Sequence, residues 1–164
     1  MKERTILVNG VSKSYAMTGW RIGYSASNPQ LAKVMANYLS HSTSAPSTIS
    51  QQAAITALTG PQEDMQVMKQ AFEQRRDHLV ERMNQIEGVS CIKPEGAFYL
   101  FVKTPTADEN EFCAAAKKHN ILVVPGSTFA CPGFVRIAYC VSYETIQNAM
   151  PGFAALAEEF GLKG

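Results

Sequence analysis

The stretch NGVSKSYAMTGWRIGY, residues 9–24, places a lysine just past an Asn-Gly pair and an arginine eight positions later, between two glycines. Thr5 to Val8 precedes it as a short run of β-branched and apolar residues, which predicts a buried strand entering a turn at Asn9-Gly10. Trp20 to Tyr24 alternates large side chains with Arg21 and Gly23, which predicts a returning strand. Trp20, Ile22 and Tyr24 would share one face, and Arg21 and Gly23 the other. Lys13 then lies on the connection and Arg21 on the second arm.

Working outward, 164 residues with 46% hydrophobic content suit one globular domain, or one and a fraction, with a sizeable core. A charged fraction of 18% and a net charge of +1 give no nucleic-acid footprint and no acidic tail. No apolar run reaches the length of a membrane span, and the first ten residues lack the apolar core of a secretory signal. Partners of either class, nucleic acid or membrane, are not expected. Cys91, Cys113, Cys131 and Cys140 form no CxxC pair and no zinc-like spacing with histidine. No metal site is expected, and four free, mostly buried thiols in a reducing cytoplasm are.

Asn28-Pro29 is a helix start, a capping residue followed by proline at the first helical position, and LAKVMANYL continues it. SHSTSAPSTIS reads as a loop, with Ser47 able to cap a helix that stops at Gly60-Pro61. Ala53, Ala54 and Ala57 suggest close packing there. Gln62 to Glu87 is the longest helical segment, with Met65, Met68, Phe72, Leu79, Met83 and Ile86 on an apolar face. The methionines are read as core packing rather than sulfur ligands, and Gly88 as the helix stop.

Beyond Gly88 short strands interleave with helices. Strands are predicted over Val89–Ile92, Ala97–Val102, Ile121–Val124 and Phe134–Tyr139. A helix is predicted from Asp108, with Glu111 completing a capping box, through Lys118, with Asn120 just past its end. A last helix, capped by Ser142, should kink or split at Pro151-Gly152. Together these make an α/β chain.

The chemistry centres on the first stretch. Lysine attacks a carbonyl once its amine has lost a proton, which low dielectric and nearby positive charge favour. Arginine grips phosphate or carboxylate with two parallel N–H donors. Such a pair suits pyridoxal phosphate, with a bond at its aldehyde and an anchor at its phosphate. On residue types alone, a lysine in a turn is usually a solvated surface lysine, and that is the better account of Lys13.

The full string goes further. GVSKSYAMTGWRIG resembles the lysine signature of the class I and II aminotransferases, at Gly10, Ser12, Lys13, Ala16, Met17, Gly19, Arg21, Ile22 and Gly23. The likeness is greatest to the aspartate aminotransferase-like subgroup of fold type I. PEGAFYLF at 94–101 is similar to the family's entry to its small domain, and VVPGSTF at 123–129 to the loop before its last strand. FVRIAYCVSYETI at 134–146 resembles the segment carrying the arginine that binds the substrate α-carboxylate, here Arg136.

The resemblance implies the C-terminal part of the large cofactor-binding domain over residues 1–72 and the small C-terminal α/β domain over 73–164. It implies that Lys13 bonds pyridoxal 5'-phosphate and then carries a proton from the substrate Cα. Arg21 would hold the phosphate, Ser12 would be a further phosphate partner, and Arg136 would hold the substrate carboxylate. Many relatives have serine where this chain has Gly10, so the set of phosphate donors differs. Amino acid and 2-oxo acid substrates, and a homodimer of the full-length form, follow by the same resemblance.

In some aspartate-specific members an arginine from the neighbouring subunit binds a second carboxylate. The comparable region, Asn37 to Ser50, has no arginine or lysine. In the family the lysine signature sits past the middle of a longer chain, so a C-terminal piece with little activity by itself is expected. Two other readings share these motifs. One is the cofactor-binding sensor domain of an aminotransferase-like transcriptional regulator. The other is a carbon–sulfur lyase of the same fold.

Overall fold

A computed structural model describes residues 1–162. The chain divides into two compact units, Met1–Val67 and a second beginning at Met68.

In the first unit, strand β1 (Leu7–Gly10) pairs antiparallel with β2 (Gly23–Ala26), with Gly10 opposite Gly23 and Asn9 opposite Tyr24. Helix α1 (Val11–Ser14) follows β1 directly, so Asn9-Gly10 closes a strand rather than making a turn. Trp20 ends a 3-10 turn over Thr18–Trp20, and Arg21 takes a left-handed backbone at φ 53°. The returning strand therefore starts at Gly23, and Arg21 sits at the break before it instead of on the arm.

The predicted burial of the first strand also fails. Leu7 is 48% and Val8 78% exposed, because a two-stranded ribbon has no further layer within the unit to cover its apolar side chains.

Helix α2 (Pro29–Ser42) is capped as its sequence predicts. Asn28 Oδ1 accepts the Leu31 N–H at 2.9 Å, and its amide donates to Glu3 O at 3.1 Å. The helix runs three residues beyond Leu39, into the segment read as loop. Helix α3 (Thr48–Thr59) begins after Ser47, whose hydroxyl makes no capping bond. Ala54 is buried beside Val11, Met17 and Ile22, with Ala53 and Ala57 packed around them. These small side chains let α3 approach the lysine loop closely.

Helix α4 (Glu63–Asn84) crosses from one unit to the next. It ends three residues before Glu87, so Gly88, at φ 79°, shapes the following turn and does not terminate the helix directly.

The second unit is built on a four-stranded antiparallel sheet in the order β3 (Ser90–Cys91), β4 (Tyr99–Lys103), β6 (Phe134–Ala138), β5 (Val124–Pro125). Leu100 and Val102 of β4, with Val135 and Ile137 of β6, point into the core. There they meet Leu79 and Met83 of α4, Phe112 and Ala116 of helix α5 (Glu109–Lys118), and Phe153 and Leu156 of helix α6 (Tyr143–Glu159). Each fully buried leucine contributes on the order of 1.5–3 kcal/mol.

Period-2 alternation puts Tyr99, Phe101 and Arg136 on the opposite sheet face, and Phe101 is the direct cross-strand partner of Arg136.

Several boundaries differ from the sequence reading. Ile121 to Val123 are not strand, since Ile121 closes α5. Its N–H bonds Ala116 O at 3.0 Å, while Asn120, at φ 59°, bonds Lys117 O at 3.1 Å. Asp108 caps α5 through the Asn110 N–H, but Glu111 accepts from the Thr106 hydroxyl at 3.2 Å instead of completing a capping box.

Ser142 caps α6 through the Thr145 N–H, and the helix continues through Pro151 unsplit. Proline removes one backbone bond. Ile146 and Met150 before it, and Phe153 and Leu156 after it, anchor both halves in the same core. Gly152 allows close approach at this point, since a Cβ there would lie 3.0 Å from Ile121 Cδ1.

Candidate active site

The lysine loop hangs from three buried side chains. Val11 is fully buried, and Met17 and Ile22 pack with it, so the chain is pinned before Lys13, between it and Arg21, and just after Arg21. Helix α1 also packs against the 3-10 turn over Thr18–Trp20. Tyr15 adds a polar tie, its hydroxyl donating to Gln62 Oε1 at 2.9 Å. The Gln62 amide in turn donates to the carbonyls of Ala57 and Gly60.

Between these anchors Ser12 is half-buried and Lys13 exposed. Ala16 and Arg21, at φ 53° each, both hold left-handed backbone, a conformation that costs a non-glycine residue about 1–2 kcal/mol. Strain of this kind persists only where surrounding packing imposes it, and it concentrates at functional sites. Among the described residues the Arg21 guanidinium donates one bond, Nη1 to Thr18 O at 3.0 Å, out of its five N–H donors.

The structure thus brings Ser12, Lys13 and Arg21 onto one loop. From Arg4 to Gln62 the chain has no acidic residue, while Arg4, Lys13, Arg21 and Lys33 are basic. This donor set and charge balance fit a phosphate group.

Arg136 belongs to the second unit. Its Cζ lies 4.2 Å from the Tyr99 ring centroid and 3.9 Å from that of Phe129. Both rings therefore lie against the guanidinium. Its Nε is buried with no hydrogen-bond partner, and no described carboxylate forms an ion pair with it. The bland account of a strand arginine, pairing with a local acid, does not apply.

Phe129 ends a 3-10 turn over Gly126–Phe129 and meets Phe101 edge-on at 6.0 Å. The Gly126 to Gly133 loop is fastened by Glu109 of α5. Glu109 Oε1 accepts the Ser127 N–H at 2.8 Å, and Oε2 accepts the Gly133 N–H. The Ser127 hydroxyl, and then the Gly133 and Ser127 N–H groups, hold the Glu109 carboxyl below the usual carboxylate range.

Tyr99, Phe129 and Glu109 were not singled out from sequence. The i, i+2 period of β4 carries a signal for Tyr99. Glu109 has none, because its partners lie 18 and 24 residues away.

The four cysteines are free, but they are not mostly buried: Cys113 is buried, Cys91 and Cys131 are half-buried and Cys140 is exposed. Burial pushes the Cys91 and Cys113 thiols up. Among the described residues no helix is long and apolar enough to cross a membrane. No three His, Cys, Asp or Glu side chains gather as a metal site there either.

Residues 1–152 match the model of the family described as aminotransferase class I and II. The chain belongs to this family. It is 42% identical over 167 residues to the aspartate aminotransferase of Bacillus subtilis (strain 168), covering 97% of this chain and 42% of that protein. The aspartate aminotransferase of Geobacillus stearothermophilus is 45% identical over 161 residues, covering 92% of this chain and 40% of the relative.

Among solved structures, the aspartate aminotransferase of Rhizobium meliloti superposes with a TM-score of 0.88 at 40% identity, over 99% of this chain and 43% of its own. An aromatic aminotransferase from Pyrococcus horikoshii OT3 gives 0.89 at 35% identity, over 97% and 44%. The α/β architecture is therefore that of the fold type I aminotransferases. The chain spans about two fifths of the length of these relatives.

Proposed function

We propose that this chain carries the reactive lysine, a phosphate-binding arginine and the substrate-binding arginine of a pyridoxal-phosphate-dependent aminotransferase. The observation that supports this most is Arg136. A buried guanidinium N–H without a partner costs about 1–3 kcal/mol, and a substrate carboxylate recovers that cost on binding. The anion in question is the carboxylate of an amino acid or a 2-oxo acid. Relatives named aspartate aminotransferase make aspartate the first donor to test. Those names also favour the aminotransferase over the sensor or the lyase.

Each residue then has a task. Arg21 binds the phosphate of pyridoxal phosphate through its remaining N–H donors, and the Ser12 hydroxyl donates to the same group. Lys13 Nζ would hold the cofactor through its aldehyde carbon and, once released from it by the incoming amine and uncharged, would take up the proton from the substrate Cα. Arg136 orients the substrate by its α-carboxylate. The bound cofactor supplies an electron sink for the charge left at Cα. We place the full-length enzyme in the cytoplasm as a homodimer, and expect the 164-residue chain alone to turn over little or no amino donor.

The test is covalent capture. Pyridoxal phosphate is added to the chain, and to any longer protein that carries it. Borohydride reduction then fixes the adduct, and the modified lysine is located by peptide mass spectrometry. Labelling concentrated on Lys13 is expected. Labelling spread over the lysines without preference for Lys13 overturns the assignment. Turnover of aspartate and 2-oxoglutarate by the 164-residue chain overturns the expectation that it is inactive alone.

A further inference from the structure

We propose that Glu109 is the positioning residue of the carboxylate-binding arginine: by tying together the two ends of the Gly126–Gly133 loop it holds the Phe129 ring on the Arg136 guanidinium. The inference rests on the reading of Arg136 given above, and extends it to a residue on another element.

The geometry is a closed chain of contacts. Glu109 is only 4% exposed and stands in the first turn of α5. One of its oxygens takes the N–H of Ser127 near the start of the loop, and the other that of Gly133 at its end. The Gly133 carbonyl is held too, accepting the Thr104 N–H at 3.0 Å and the Thr104 hydroxyl at 2.9 Å. Within the loop the Cys131 N–H bonds Gly126 O at 3.0 Å, and Ala130 N–H bonds Ser127 O at 3.1 Å. Phe129 lies between these fastenings, with its ring centroid 3.9 Å from Arg136 Cζ.

A carboxylate is the group this loop requires. Both loop ends present N–H donors, and an ionised carboxyl offers two acceptor oxygens and no donor. Glutamine has the same shape but only one acceptor oxygen. Its NH₂ would face one of the two N–H groups, leaving a buried donor against a donor. One loop end must then release, and the Phe129 ring loses its fixed place over Arg136. The consequence for binding is pre-organisation. A guanidinium already held against two rings meets a carboxylate without having to order on its arrival.

The test uses the 164-residue chain, with the Arg136 Nε–H resonance assigned through Arg136→Gln. In the parent chain ring currents from Tyr99 and Phe129 should displace this resonance from the position of exposed arginines. Glu109→Gln and Phe129→Leu should each remove the Phe129 share of that displacement and leave the Tyr99 share, while the Val135 and Ile137 amides stay in place. If Phe129→Leu moves the Arg136 signal and Glu109→Gln does not, the proposal is wrong. A Glu109→Gln chain that also loses the Val135 and Ile137 dispersion makes Glu109 a residue of the core fold, and overturns it equally.

Sodium acetate, against sodium chloride at equal concentration, separates the two readings. The parent Nε–H should respond to acetate, and Glu109→Gln should weaken the response severalfold. No acetate response in the parent chain, with the Glu109→Gln displacement still observed, sinks the carboxylate role of Arg136 and leaves the positioning role standing. An acetate response of equal strength in both chains sinks the positioning role alone.

Discussion

Gly126→Ala is expected to destabilise the second unit by about 3 kcal/mol, and Gly133→Ala by only about 1 kcal/mol, although both glycines lie in the loop over Arg136. At Gly126 the obstacle is backbone. A Cβ there would fall 2.2 Å from Cys131 O, 2.6 Å from Phe134 O and 3.1 Å from Phe134 C. None of these atoms moves freely, since Cys131 N–H is bonded to Gly126 O and Phe134 begins β6 opposite Lys103. Overpacking of this kind costs roughly 1–3 kcal/mol, with backbone obstacles at the upper end.

At Gly133 a Cβ meets nothing within 4 Å, and the difficulty is a φ of 78°. Left-handed backbone costs alanine about 1–2 kcal/mol, less the roughly 0.4–1 kcal/mol gained by stiffening the unfolded chain. With a urea dependence of about 1–3 kcal/mol per molar, the two midpoints should differ by about 1 M. Urea unfolding followed by far-ultraviolet circular dichroism reads this directly. A Gly126→Ala midpoint equal to or above that of Gly133→Ala refutes the steric argument, and with it the tight closure of the loop.

Two further outcomes are expected. Val11→Ala should loosen the lysine loop at a cost of about 2 kcal/mol, because Val11 is fully buried and two carbons are removed. The single tryptophan, Trp20, sits in that loop, so its fluorescence transition should shift to lower urea. The Glu109 carboxyl is held below its ordinary range in the folded chain. Its stabilisation is therefore complete above the unfolded carboxyl range and is lost as pH falls through the folded value. Urea midpoints should drop from about pH 5 downward, and Glu109→Gln should remove part of that drop; an unchanged acid profile in the variant counts against the clamp.

Much of the second unit was legible because its signals are local. Asp108 and Ser142 cap by bonds to residues two and three positions on. Asn120 ends α5 by adopting left-handed backbone, as asparagine readily does. The misreadings share a cause, competition from further along the chain. Ile121 is β-prone, yet it closes a helix. Pro151 should break α6, yet apolar anchors on both sides carry the helix through. In the first unit the alternation around Arg21 looked like a strand, but Val11, Met17, Ile22 and Ala54 gather the chain into a small core. That leaves Arg21 on a left-handed corner.

By itself the sequence determined the family, whose signature around Lys13 and Arg21 is read without any fold, and it singled out the arginine of FVRIAY for the carboxylate role proposed above. Tertiary structure alone decided the surroundings of Arg136. Tyr99 and Thr104, Glu109, and Phe129 come from three separate stretches of chain. Neither the stacked rings nor the two-ended carboxylate clamp has a local pattern, because each contact forms only when β4, β6, α5 and the loop before β6 pack together.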